Sequence, residues 1–379
     1  MTEAPGEQIT IKKSPLDQVH KRLGAVMTEQ AGWAIPSSYG DEQAEYSAVR
    51  EGGVGLIDVS SRGRLLVTGS EAVQFLNGLI TNDMKTLEES QWMPAVFANV
   101  QGRLLASVRV SSIKDKYDSN DGPGFLIDTE PATHEVVLKT VTRFTLAGDF
   151  RVRDLTDNTA LLSLQGKDAA ALLRQLLGSA ADLGKFRVTQ TRWNDNWVTI
   201  LRATHTGEDG FDLFVDSEGA SELWQELMSA GARPGGFDAL EALRIEAGHA
   251  RYGVDIDETN VVSETNLDEA ISFTKGCYIG QEIIVRIKHR GHVAKKLTGV
   301  TFDRKVDIQR NTNLLSEVGK EVGRITSVTF SPLLNRTIAL AYIKYDYLQR
   351  GTKLNADSNE QVTATVIDLP FVRGGWNQM

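Results

Sequence analysis

The residues best equipped for chemistry, by type and by spacing, lie in one run. Lys275-Gly276-Cys277-Tyr278-Ile279-Gly280-Gln281-Glu282 holds the sole cysteine of the 379-residue chain. Gly276 and Gly280 permit backbone angles closed to other residues, so a tight turn can present the thiol with a lysine two positions away. An adjacent ammonium and a helix N-terminus both favour thiolate, and such settings bring a cysteine pKa from ~8.5 toward ~3.5–7.5. The same residue would serve equally as a small, inert packing group, so the residues alone leave Cys277 open between the two roles. No Cys-His nucleophile pair is visible, because His289 and His292 lie beyond a helical run. The histidines (His20, His134, His205, His249, His289, His292) are scattered without zinc-type spacing, so no metal site is expected. Arg244 stands beside the apolar stripe Leu240, Leu243 and Ala247, where a cation needs an anionic ligand or partner. A structural ion pair with an acidic residue of the 255–269 stretch competes evenly with a ligand.

The elements that must position these groups can be read from periodicity and turn chemistry. Ile283, Ile284 and Ile287 recur at helical spacing, with Glu282 in the first turn and basic residues at the end, an order that suits the helix dipole. Gly291 is expected to cap that helix. Upstream, the patterns predict a helix from Leu16 to Met27, a strand Arg64–Thr68, and a helix Ser70–Leu76 capped by Ser70. A hairpin of 95–100 with 104–110 should turn at Gln101-Gly102-Arg103. A polar loop follows over 114–124, then a strand near Phe125–Asp128 and a helix opened by Pro131. Strands are expected near Arg151–Arg153, Ala160–Leu164, Trp197–Ala203 and Phe211–Val215. The polar turn Gly207-Glu208-Asp209-Gly210 joins the last two, and helices are expected over 167–177 and 217–230. A further helix should begin in a capping-box-like start at Asp238 and Glu241. After Gly291 the texture is all-β. These readings give a flexible lead over 1–15, an α+β region over 16–292 in two subdomains, and a small β-barrel or sandwich over 293–379. The cysteine run sits at a junction of folding units, where pockets tend to form.

Bulk properties narrow the function classes. A net charge of −9 argues against direct nucleic-acid binding, which demands a concentrated basic surface. One cysteine excludes an internal disulfide framework and fits a reducing cytoplasm. The first ten residues lack the basic and apolar portions of a secretory signal, and no stretch approaches the ~20 apolar residues that span a bilayer.

The octapeptide at 275–282 resembles the signature of the YgfZ proteins, folate-binding relatives of the glycine-cleavage T-protein. Gly55-Leu56-Ile57-Asp58-Val59-Ser60, Ile80-Thr81-Asn82-Asp83, Thr206 to Asp212, and Ala242 to Gly248 followed by Tyr252-Gly253 resemble landmarks of the same superfamily, in the same order. The resemblance implies a T-protein-like ring of α+β subdomains around a central hole holding tetrahydrofolate, with a C-terminal β-barrel. It also implies folate contacts from Asp212 beside the pterin, Arg244 at an anionic part of the folate, and Tyr252 nearby, with Cys277 and Lys275 as the chemical groups. Where the aminomethyltransferases carry a pair of aspartates after the hairpin turn, this chain has Ala106 and Ser107, and neither can act as a carboxylate base. The expectation is therefore a cytoplasmic tetrahydrofolate-binding protein that supports iron–sulfur cluster assembly or repair through client or assembly proteins. Any influence on tRNA modification would be indirect. The alternative is a folate-dependent aminomethyltransferase or demethylase.

Overall fold

Two β-sheets facing one another form the centre of the molecule. The computed structural model describes residues 11–116, 123–143, 145–146, 148–358 and 362–379. The first sheet has the strand order Val188–Trp193, Asn196–Arg202, Gly210–Asp216, Thr159–Gln165, Gly55–Asp58, Arg233–Pro234. The second runs Trp92–Ala98, Leu104–Lys114, Pro123–Thr129, Gly63–Thr68, Arg151–Asp154. Ile57, Leu161, Leu201 and Phe214 from the first meet Trp92 and Leu126 from the second in one buried cluster. The outer face of each sheet is covered by its own helices. Leu172 and Leu173 of Ala169–Leu177 and Leu223, Trp224 and Leu227 of Ser217–Ser229 pack on the first sheet. Leu76 and Leu79 of Ala72–Leu79 and Val137 and Val141 of His134–Thr142 pack on the second. Helix on one face and sheet on the other is why the central strands are buried on both faces.

The C-terminal region closes into a barrel of six strands in the order Lys295–Thr301, Arg336–Lys344, Glu321–Ser331, Asn313–Leu315, Lys353–Ala356, Val362–Ile367. Closure leaves no exposed sheet edge. Ile338, Leu340 and Tyr342 of the barrel share a core cluster with Leu104 and Val96 of the hairpin and with Tyr278 and Ile284 of the cysteine stretch.

Several local expectations are corrected. The helix expected from Leu16 to Met27 is the short Asp17–Arg22, and the chain then turns into the hairpin Val26–Gln30 and Trp33–Ser38, with Ala31 and Gly32 in left-handed conformations at its turn. The lead is not loose as far as residue 15: Lys12–Lys13 pairs with Trp33–Ala34, and the buried Ser14 hydroxyl donates to Asp58 at 2.5 Å. Ser70 does not cap its helix, because Asp149 takes both its N–H and its hydroxyl; the helix starts at Ala72 after Glu71. Asp238 lies inside the first turn of Phe237–Glu246, and extended Gly236 is the cap residue. Gly291 follows Gln281–Arg290 with extended backbone (φ −168°), so no left-handed C-cap forms. The strand Val188–Trp193, absent from the sequence reading, pairs with Asn196–Arg202 around left-handed Asn194. The polar stretch read as a loop over 114–124 falls mostly on residues 117–122, outside the described residues; its ends are paired, Lys114 with Pro123.

Candidate functional site

At one end of the facing sheets lies a cavity of about 610 Å³. Its wall takes Ile57, Asp58 and Val59 from the first sheet, Arg62 from the turn after it, and Glu130-Pro131-Ala132 from the end of the strand Pro123–Thr129. The helix Phe237–Glu246 adds Leu240, Glu241 and Arg244, the segment after it adds His249 to Val254, the N-terminal hairpin adds Ile35 and Pro36, and the barrel adds Arg310. A volume of several hundred Å³, part apolar and part charged, lies in the range of small-molecule pockets.

The charges around it are heavily cross-linked. Asp58 is buried, accepting from the Ser14 hydroxyl and the Ser60 N–H and bonded to His20 Nε2 at 2.8 Å; Tyr39 Oη meets His20 Nδ1 at 2.8 Å. Burial raises the Asp58 carboxyl, but the His20 and serine bonds outweigh it and hold it below the ordinary range. Arg62 Nε donates to Asp128 at 2.7 Å, and Arg109 bridges from Asp128 to Asp212, meeting the latter at 2.6 Å. That guanidinium, with His205 at 2.9 Å, keeps the fully buried Asp212 far below the usual carboxylate range despite desolvation. Opposite, Arg244 reaches Glu241, the His249 carbonyl, Asp255 at 2.7 Å, and the barrel hydroxyl of Ser327 at 2.6 Å.

The residues singled out from sequence separate into two places. Arg244 and Tyr252 line the cavity. Arg244 also makes the ion pair with the 255–269 stretch that was its competing role, and the partner is Asp255. Asp212 is not a wall residue; it lies behind His205, with its oxygens committed to His205 and Arg109. Cys277 and Lys275 are also absent from the wall. Cys277 is exposed, while the Lys275 ammonium donates to the carbonyls of Asn77 (2.6 Å), Ile80 (3.0 Å) and Asn82 (2.6 Å), and burial draws it down to about 8. An ammonium has three donors. All three serve the end of the helix Ala72–Leu79, so Lys275 pins the loop to that helix. Gly280, at φ +85°, lets the loop approach so closely that a Cβ there would stand 2.5 Å from the Asn99 carbonyl in the hairpin turn. Arg62, Arg109, Asp128 and Glu130 were missed. A charged residue inside the apolar alternation of Leu104 to Val110 was the available signal for Arg109.

Facing sheets with a cavity at one end and a closed six-stranded barrel against them define the glycine-cleavage T-protein architecture. The chain matches the GCVT N-terminal domain over residues 16–275 and the glycine cleavage T-protein C-terminal barrel domain over 295–373, and it belongs to this family. It is 33% identical to an aminomethyltransferase of Rubrobacter xylanophilus, over 96% of this chain and 95% of that one. It is 31% identical to an aminomethyltransferase of Halothermothrix orenii, over 96% of this chain and 100% of that one. The crystal structure of glycine cleavage system aminomethyltransferase T from Bartonella henselae shares the fold, with a TM-score of 0.86 over 96% of this chain and 98% of that one at 24% identity.

These relatives overturn the YgfZ expectation. Likeness to aminomethyltransferases runs through nearly the whole chain, and nothing in it singles out YgfZ proteins. The roles in iron–sulfur assembly and tRNA modification rested on that octapeptide and on Ala106 and Ser107 in place of the aspartate pair, and they fall with the YgfZ reading. Structurally, the octapeptide docks a loop. No helix among the described residues is long and apolar enough to cross a membrane.

Proposed function

We propose that the protein is an aminomethyltransferase that takes tetrahydrofolate into the cavity and moves onto it the one-carbon unit of an aminomethyl donor, releasing ammonia. The observation that carries this reading is the cavity itself, walled by both sheets, the N-terminal hairpin and the barrel, in a chain similar to aminomethyltransferases over nearly its full length. Ile35, Pro36, Val59 and Leu240 supply apolar wall for the ring system. Two wall cations suit the folate's carboxylates. Among the described residues, Arg310 donates to the carbonyls of Gly253 and Val254, and the buried Nε of Arg251 has no hydrogen-bond partner. A buried donor left unmade costs about 1–3 kcal/mol, which an anionic ligand would recover. Tyr252, next to Arg251, is a further folate contact, and Arg244 stands on the same wall, paired with Glu241 and Asp255.

Calorimetry with tetrahydrofolate on the wild type and on Arg251→Ala tests the reading. Binding by the wild type, weakened roughly tenfold or more in the variant as a charged contact is lost, supports it. Absence of binding to the wild type would remove it.

A further inference from the structure

Among the carboxylates at the cavity wall, one stands outside the ion-pair networks. Asp58 is bonded to His20, and Glu241 is paired with Arg244 and Arg251. Glu130 makes no ion pair among the described residues; its Oε2 accepts the Tyr252 N–H at 2.9 Å. Its position in the sheet is specific. Leu104–Lys114 and Pro123–Thr129 run antiparallel with Arg109 opposite Asp128 and Val108 opposite Thr129. Glu130 follows Thr129 directly, one residue beyond the last paired position of that ladder, and lines the cavity. A carboxylate is thus brought to the cavity from the end of the strand that neighbours the one carrying Ser107. Pro131 then turns the chain out of the sheet, and the Glu130 carbonyl holds that turn by accepting the N–H and hydroxyl of Thr133.

We infer that Glu130 is the proton-transfer group of the cavity, doing the work that Ala106 and Ser107 cannot. The inference rests on the reading of the cavity as a folate transfer site. Burial holds the Glu130 carboxyl above its ordinary range, even though Arg62, Arg251 and Arg244 face it and the Tyr252 N–H bonds to it. Asp128 on its own strand is neutralised by Arg62 and Arg109. A carboxylate so placed is a better base than an exposed one and a competent acid once protonated. For a thioether donor R–S–CH2–NH2, the C–N and C–S bonds break and two bonds form from the methylene carbon to folate N5 and N10. The two hydrogens displaced from those nitrogens end on ammonia and on the thiol R–SH. No oxidant or reductant is needed. Glu130 takes a proton from an attacking folate nitrogen and returns it to the departing amine.

The test runs the reaction in reverse with the full chain, using methylenetetrahydrofolate, ammonium and dihydrolipoamide as probes, beside calorimetry with tetrahydrofolate. Glu130→Gln should lower kcat by about 100-fold or more and leave tetrahydrofolate binding nearly unchanged. It should also remove the acid limb on which the wild-type rate falls as Glu130 becomes protonated. Glu130→Asp, which keeps the carboxyl, should recover part of the rate. Undiminished kcat in Glu130→Gln beside an active wild type would overturn the assignment of Glu130 alone. A wild type that binds tetrahydrofolate but shows no turnover would overturn the transfer reading and the assignment together.

Discussion

The cysteine loop and the cavity wall are both dense in ionisable side chains, yet they are built on opposite rules. In the loop, the Lys275 ammonium donates to three backbone carbonyls and the thiol faces solvent. Around the cavity, guanidinium groups meet carboxylates from distant parts of the chain: Arg62 and Arg109 with Asp128, Arg109 with Asp212, Arg244 with Asp255. A compact cluster of reactive residue types in sequence therefore serves anchoring, while residues scattered from Arg62 to Asp255 assemble the charged surroundings of the cavity. Local density of chemistry is a poor guide when backbone carbonyls can absorb a cation as well as a substrate can.

The comparison can be broken most forcefully at Arg109. Arg109→Met leaves Asp128 and Asp212 buried with less compensation and should cost about 3–5 kcal/mol in urea unfolding. In the wild type both carboxyls are depressed, so their stabilisation is present above the unfolded value of ~3.9 and is lost as pH falls toward the folded values. The variant should lose stability less steeply below pH ~4. A full-strength acid transition in the variant would mean that the pairs do not hold the wall together.

Lys275→Met should cost less, about 1.5–3 kcal/mol for bonds to a charged group. Hydrogen exchange should quicken in the loop and at the end of Ala72–Leu79 before anywhere else. Uniform quickening across the molecule would contradict a local pinning role.

Glu130→Gln should move stability the other way at neutral pH. The folded pKa is raised, so the folded state keeps a proton that the unfolded chain has released, and wild-type stability falls as pH rises between ~4.3 and the folded value. The glutamine variant escapes that decline and should be the more stable protein at pH 7, with the advantage gone below pH ~4. Equal stability at pH 7 would show that the wall does not strain this carboxyl.

The smallest effect is expected at Cys277. Because the thiol is exposed and away from the wall, Cys277→Ser should stay within about 0.5 kcal/mol of the wild type and turn over the same probes at the wild-type rate. A collapse of kcat would return the loop to the chemistry.

Much of the architecture was legible in sequence, because strand alternation, helical stripes and turn residues are local signals. The hairpin before Leu104, the helix after the cysteine run and the all-β texture beyond Gly291 follow from them, and the T-protein resemblance supplied the ring and the barrel. Caps were less legible: Ser70 and Asp238 have the right side chains, but Asp149 and the Gly236 backbone decide those helix starts. In the site, Arg244 and Tyr252 could be found because a motif surrounds them. Glu130 could not, since what sets it apart is its place on the cavity wall outside the ion-pair networks, and which strand ends meet at one cavity is not written in either strand alone.

Gly280 carries a further consequence. With a Cβ at that position only 2.5 Å from the Asn99 carbonyl and 3.2 Å from the Gly102 Cα, the loop acts as a clasp on the turn that begins the strand Leu104–Lys114. That strand carries Arg109, which ties Asp128 to Asp212 beside the cavity. Loosening the clasp would thus be felt as misalignment further along the strand, so this glycine governs fidelity of assembly at a site it never touches.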